Sequence, residues 1–196
     1  MSGAEDYIDF AKPFSIYFNL LKGLSDTRKP SQRRLSNMKH MYFNDEAYNK
    51  MLDADDSLVY EFYELGTPEN AGDIAFGTSI VYPGKVGNEY FMTKGHFHNV
   101  LDTAEVYICL QGQGFMLLEN PEGDWKTEEL RPGQAVYCAI RYAHRSINVG
   151  NEPLVTFFAF RGDAGHDYGT IEKKGYRKLI VEMEGTPSVV DNPNWK

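Results

Sequence analysis

The rhythm of apolar and polar positions changes near residue 57. Before it, residues 45–52 suit a short helix: Asn44 can serve as N-cap, and Asp45 and Glu46 fall in the first turn. After it, the pattern shortens to strands. Residues 58–65 alternate in part, and 74–82 form a mostly apolar run with Thr78 and Ser79 embedded. Residues 105–110 and 115–119 flank Gln111-Gly112-Gln113-Gly114, which predicts a hairpin with a glycine-rich turn. Further strands are predicted over 135–140, 154–160 and 177–182. Short strands punctuated by Gly and Pro mean an all-β sandwich or barrel. Residues 1–57 then form an N-terminal extension with a short helix and strand, packed on a barrel domain spanning 58–196.

Composition supports the same class. Aromatic residues make up 14% of the chain, and flat side chains pack well on a pleated surface. With 196 residues the chain can bury a sizeable core without disulfide staples. Cys109 and Cys138 sit in apolar, strand-like runs and are expected to be reduced, buried thiols. A net charge of −8 opposes nonspecific nucleic-acid binding. No apolar run approaches the roughly 20 residues that span a bilayer. The acidic start lacks the apolar stretch of a signal peptide, so a cytoplasmic protein is expected. The basic stretch 26–34 reads as a solvated loop, and no motif marks it as a phosphate site.

The sharpest chemical signal is Lys94-Gly95-His96-Phe97-His98. On a strand, residues two apart share a face, so His96 and His98 aim two imidazoles at one point. An isolated pair of this kind is as readily two surface histidines. Glu105, at the head of an apolar strand, is costly to bury unless a cation accompanies it. His144 follows Pro132-Gly133 and a strand, from which it can reach the same barrel mouth. Together His96, His98, Glu105 and His144 make an N3O set that suits a divalent metal and leaves positions open for substrate or water.

These pieces resemble the two cupin motifs. Gly95-His96-x-His98, Glu105 and Gly112 form the first, and Pro132-Gly133, His144 and Asn148 the second. The resemblance implies a double-stranded β-helix, or jelly-roll barrel, with the metal inside. The gap from His98 to Glu105 is longer than in the general cupin pattern and fits one subfamily better. Lys94–His98, Ala104-Glu105-Val106-Tyr107, Gly112-Gln113-Gly114, Ala143-His144-Arg145, Asp163-Ala-Gly-His-Asp-Tyr-Gly169 and Val189-Val-Asp-Asn-Pro193 all resemble the cupin-type glucose-6-phosphate isomerases.

That resemblance implies interconversion of glucose 6-phosphate and fructose 6-phosphate by homodimers. It implies one divalent ion per chain, Fe2+ foremost, with Mn2+, Ni2+ or Zn2+ able to replace it. Glu105, Tyr107 and His166 are the implied catalytic residues. Thr78, Thr93, Gly95 and Tyr168 are the implied substrate contacts, Thr78 by a match loose by one residue. Phe160 and Arg141 each stand where close relatives carry a tyrosine. Glu105 is the leading proton carrier in an enediolate route, and a hydride shift between carbons 1 and 2 is the competing route. The other readings of the ligand set are a dioxygenase cupin of the acireductone type and a sugar-binding cupin without catalysis.

Overall fold

The computed structural model describes residues 8–26, 28–65 and 69–195. The chain enters through a small hairpin, β1 (Phe18–Asn19) and β2 (Leu24–Ser25). Next come strand β3 (Ser31–Arg34), a 3-10 turn over Leu35–Met38, and helix α1 (Asp45–Ala54). The Asn44 side chain accepts a hydrogen bond from the Ala47 amide at 2.9 Å and starts α1 as the sequence predicts.

The barrel strands follow: β4 (Leu58–Leu65), β5 (Ile74–Val81), β6 (Lys85–Val86), β7 (Glu89–Tyr90), β8 (Glu105–Gln111) and β9 (Gly114–Glu119). They continue with β10 (Trp125–Leu130), β11 (Ala135–Cys138), β12 (Ala143–Asn148) and β13 (Leu154–Arg161). Helix α2 (Tyr168–Lys174) and strands β14 (Lys178–Met183) and β15 (Thr186–Asp191) complete the chain. The main sheet has the order β11-β8-β13-β5-β4-β3. A second has the order β10-β9-β12, and a third β15-β14-β7-β6. Every pairing is antiparallel. This is the all-β cupin jelly roll.

The inner faces close over one core that takes Val59, Cys109, Met116, Leu130, Ile147, Phe158 and Ile180 from all three sheets. Strand β8 shows why burial and chemistry coincide. Glu105, Tyr107 and Cys109 point inward, while Ile108 faces out. Both cysteines are free and buried. Among the described residues, no helix is long and apolar enough to cross a membrane.

The structure corrects one pairing. Strands β8 and β9 are not a hairpin. Strand β8 pairs with β11 and β13, whereas β9 pairs with β10 and β12. The glycine-rich turn is therefore the corner where the chain changes sheets. Gly112 has φ +84°, and a Cβ there would lie 2.5 Å from the Pro153 carbonyl oxygen. A glycine turn announces a reversal, but not which neighbour each strand will bond.

The described residues before position 58 contribute to the main sheet and to its outer face. Strand β3 is hydrogen-bonded to β4 as the edge of the main sheet, so the sheet runs across the 57/58 boundary. The β1–β2 hairpin covers the outer face of the same sheet. Phe18 packs edge-on against Phe76 and Phe157, and Gly23 lies against Ile80 and Val155.

Strands β10 and β12 escape prediction from hydrophobicity, for opposite reasons. Strand β10 is polar and mostly accessible. Strand β12 is buried at all six positions, yet four of them are His144, Arg145, Ser146 and Asn148. Asn148 is satisfied by the carbonyls of Val81 and Glu152, and Arg145 by the carbonyl of Lys94.

Candidate metal centre

His96 and His98 lie on an extended segment fixed by isolated bridges, not on a regular strand. His96 bridges to His144, and Phe97 bridges to Asp167. The i, i+2 logic still holds. Phe97 is buried in the core, and both imidazoles turn to the opposite side. Gly95 makes the approach possible. It has φ +72°, and a Cβ would meet the Tyr176 hydroxyl at 2.4 Å and the His144 carbonyl at 2.9 Å.

The four candidate ligand atoms of His96, His98, Glu105 and His144 all lie within 4.8 Å of one another. All four residues are buried. Glu105 Oε2 is 3.1 Å from His98 Nε2 and 2.9 Å from His144 Nε2. The ring nitrogens turned away from this point are anchored. His98 Nδ1 lies 3.0 Å from the Thr103 carbonyl, and His144 Nδ1 lies 3.2 Å from the Tyr142 carbonyl. A carbonyl only accepts, so each Nδ1 carries a proton; a neutral ring then presents an Nε2 lone pair inward, and a protonated one donates to Glu105. His96 Nε2 is buried without a hydrogen-bond partner, and His144 Nε2 faces the Glu105 carboxylate. Ring nitrogens converging with a carboxylate fit a divalent cation.

The electrostatics agree. Burial pushes the His96 pKa well below its usual value, which favours a neutral ligand. Burial opposes charge on Glu105, but His144 and His98 beside it hold its carboxyl well below the usual carboxylate range. Burial first, and then the Glu105 charge, raise the Tyr107 phenol well above its usual value, so it is a neutral donor beside that carboxylate.

The block from 163 to 169 is a clamp. Its Asp167 exchanges backbone hydrogen bonds with Phe97 and caps α2 through Thr170. Gly165, with φ +59°, passes against Asn99. The clamp lays His166 4.5 Å from the His96 ring, and Tyr168 stacks on His166 at 5.8 Å. His166 stays outside the ligand set.

These groups line a pocket that encloses about 500 Å3, including space open to solvent. Thr93, Gly95, Tyr107, His166, Tyr168 and Phe160 are all on its wall. Thr78 is not. Its hydroxyl donates to the Gly23 carbonyl on the opposite face of β5, and Ser79, one residue on, lines the pocket instead. Strand alternation accounts for the one-residue difference. Arg141 is also elsewhere, at an exposed turn with φ +69° and an ion pair to Glu122. Ser79, Ser146 and the β4 residues Tyr60, Phe62 and Glu64 line the pocket without having been singled out. The alternation of β4 gave their shared face, but not which side of the sheet was inside.

The family model for glucose-6-phosphate isomerase (GPI) matches residues 32–196. Over 95% of its length the chain is 46% identical to a glucose-6-phosphate isomerase of Thermococcus litoralis, covering 98% of that protein. It is 45% identical to one of Pyrococcus furiosus, again over 95% of this chain and 99% of that protein. Among solved structures it is similar to oxalate oxidase in complex with glycolate, at 14% identity and a TM-score of 0.48. That overlap covers 58% of this chain and 56% of the other. Relatives aligned from end to end and a family match that takes in the whole histidine–glutamate cluster place this chain in the glucose-6-phosphate isomerase family.

Proposed function

We propose that this protein interconverts glucose 6-phosphate and fructose 6-phosphate as a metal-dependent aldose–ketose isomerase. The observation that carries the reading is the buried His96, His98, Glu105 and His144 set, of which His96, Glu105 and His144 line the pocket, in a chain aligned end to end with proteins named glucose-6-phosphate isomerase. A bound divalent ion, Fe2+ foremost among Fe2+, Mn2+, Ni2+ and Zn2+, would supply Lewis-acid stabilisation of negative charge developing on the oxygens of carbons 1 and 2.

The chain's own groups do the rest. Aldose and ketose differ by the hydrogens on carbons 1 and 2, so a base must carry a proton between them. Glu105 is ionised, buried and on the pocket wall, and it takes that role. Tyr107 is a neutral phenol that donates toward Glu105 and the substrate oxygens. His166, a neutral imidazole by burial, and Tyr168 close the opposite wall and orient the sugar. Thr93 has its oxygen fixed by the Ser146 amide at 3.1 Å, which leaves its hydrogen to donate to substrate. Phe158 and Phe160 exclude water from the reacting carbons.

The setting is glycolysis or gluconeogenesis in the cytoplasm, and the working form is a homodimer. The test is a coupled assay on metal-reconstituted protein, with fructose 6-phosphate as substrate and glucose 6-phosphate read out by an NADP-linked dehydrogenase. Turnover that needs metal and consumes no oxygen is expected. Absence of turnover with every one of the four metals, or substrate-dependent oxygen uptake, would overturn the reading.

A further inference from the structure

The pocket wall carries two carboxylates, Glu64 and Glu105, and no Lys or Arg among the described residues. The phosphate of the proposed substrate is an anion. A site with that lining repels it unless a cation stands at the rim. Lys94, next to Gly95, is already paired with Glu172 at 2.7 Å. Arg145 lies behind the wall, its guanidinium spent on the Lys94 carbonyl and the face of Tyr176.

The register of the edge strand supplies another cation. Arg33 on β3 is the cross-strand partner of Tyr60 on β4, and directly opposed residues share a face of the sheet. Tyr60 lines the pocket, so Arg33 is on the pocket side. Its neighbours face elsewhere. Gln32 pairs with Glu61 on the outer face and bonds its carboxylate at 2.8 Å. After Arg33 the register shifts, and Arg34 turns to the Asp56 carbonyl.

The Arg33 guanidinium lies 5.7 Å from the ring centroid of Phe62, itself a wall residue. Burial raises the Tyr60 phenol and that of Tyr168 in the clamp, and the nearby Arg33 charge lowers both in part. It donates to the Gln32 carbonyl at 3.0 Å. No carboxylate among the described residues forms an ion pair with it. An arginine beside an aromatic wall, half-buried and without a counter-charge, has N–H groups beyond the one bound to the Gln32 carbonyl to offer an anion.

We propose that Arg33 is the phosphate-recognition residue of this pocket and sets its preference for phosphorylated over unphosphorylated sugars. The inference rests on the isomerase reading and extends it to an edge strand outside the barrel domain. Thr93 and Gly95 add neutral donors, and Arg33 adds the charge that the wall lacks.

The experiment compares Arg33→Gln, Arg33→Lys and Arg34→Gln with the parent protein, each confirmed folded by thermal melting and equally loaded by elemental analysis. Arg33→Gln should raise KM for fructose 6-phosphate by about ten- to a hundredfold, with kcat changed far less. It should weaken inorganic phosphate, titrated calorimetrically, by a similar factor. Arg33→Lys should recover part of both losses, because the charge remains and the fork does not. Arg34→Gln should stay within about twofold of the parent, since its side chain faces away from the pocket. Unchanged KM and phosphate affinity in Arg33→Gln, or an equal loss in Arg34→Gln, would overturn the assignment. The phosphate titration needs no turnover, so it separates failure of this assignment from failure of the isomerase reading.

Discussion

Two carboxylates decide most of what happens at the scale of single residues. In the proposed reaction Glu105 both holds a cation and moves a proton, and tight coordination weakens a base. Glu105→Gln keeps the shape and removes the basic oxygen. If the proton passes through Glu105, kcat at saturating metal should fall by about 10²- to 10⁴-fold. Metal should be partly retained on the three imidazoles, as elemental analysis would show. Near-normal turnover of fully loaded Glu105→Gln would remove the base role and favour a hydride shift.

Glu89 is the second. It is buried, Oε2 accepts from the Phe43 amide at 2.9 Å, and Oε1 has no partner. Burial pushes its pKa up to about 7, against the lowering effects of that amide and of Arg145. The sign follows from proton uptake. Between pH 4.5 and about 7 the folded chain holds a proton that the unfolded chain has lost, so stability falls as pH rises through that window. Above it the charged form is buried at a cost on the order of 3 kcal/mol. Denaturant unfolding at pH 5 and pH 8 should show this loss in the parent protein and not in Glu89→Gln. Equal pH dependence of the two would refute it. Residue type alone told little here, because a glutamate two positions after Gly87 looks solvent-exposed until β7 is seen against β14 and the amide of Phe43.

Among the elements, the corner at Gly112 separates two strands that adjacency in sequence seemed to join. Gly112 needs its left-handed conformation and the space beside Pro153 together. Gly133 also has positive φ, +90°, but nothing lies within 4 Å of where its Cβ would be. Gly133→Ala should cost only the backbone term, about 1–2 kcal/mol. Gly112→Ala should cost more and lower Tm further, because the Pro153 carbonyl has to move. Equal melting points for the two variants would show that the corner is not tightly packed. Strand β12 carries the complementary lesson. A buried strand made of His, Arg, Ser and Asn has no hydrophobic signature. Its partners are backbone carbonyls: those of Val81 and Lys94, far from it in sequence, that of Glu152 beyond a turn, and that of Tyr142 just before it.

For the whole molecule, one run of exposed apolar side chains lies at the chain's entry. Phe14, Tyr17, Leu20 and Leu21 are 42%, 65%, 57% and 71% exposed on or beside the β1–β2 hairpin. Solvated apolar surface of this kind is a signature of association. The proposed homodimer should give twice the 22.3 kDa chain mass by light scattering at micromolar concentration. Leu20→Glu with Leu21→Glu should shift the mass toward one chain. A parent protein of single-chain mass would refute the dimer.

The sequence by itself determined the all-β class, the α1 cap and the cluster of four candidate ligands. Each of these rests on a local rule: strand alternation, a capping side chain, or donor types whose burial demands a cation. The His96 and His98 pair was legible for the same reason, whereas Thr93 and the 163–169 block were legible only through their resemblance to the cupin-type glucose-6-phosphate isomerases. The tertiary structure alone decided that β8 and β9 belong to different sheets and that Ser79, not Thr78, faces the pocket. It also set Arg141 at an exposed turn and Arg33 opposite Tyr60 beside Phe62. These depend on which faces meet across the barrel and on register between strands distant in the chain, and one residue of register inverts every side chain's direction.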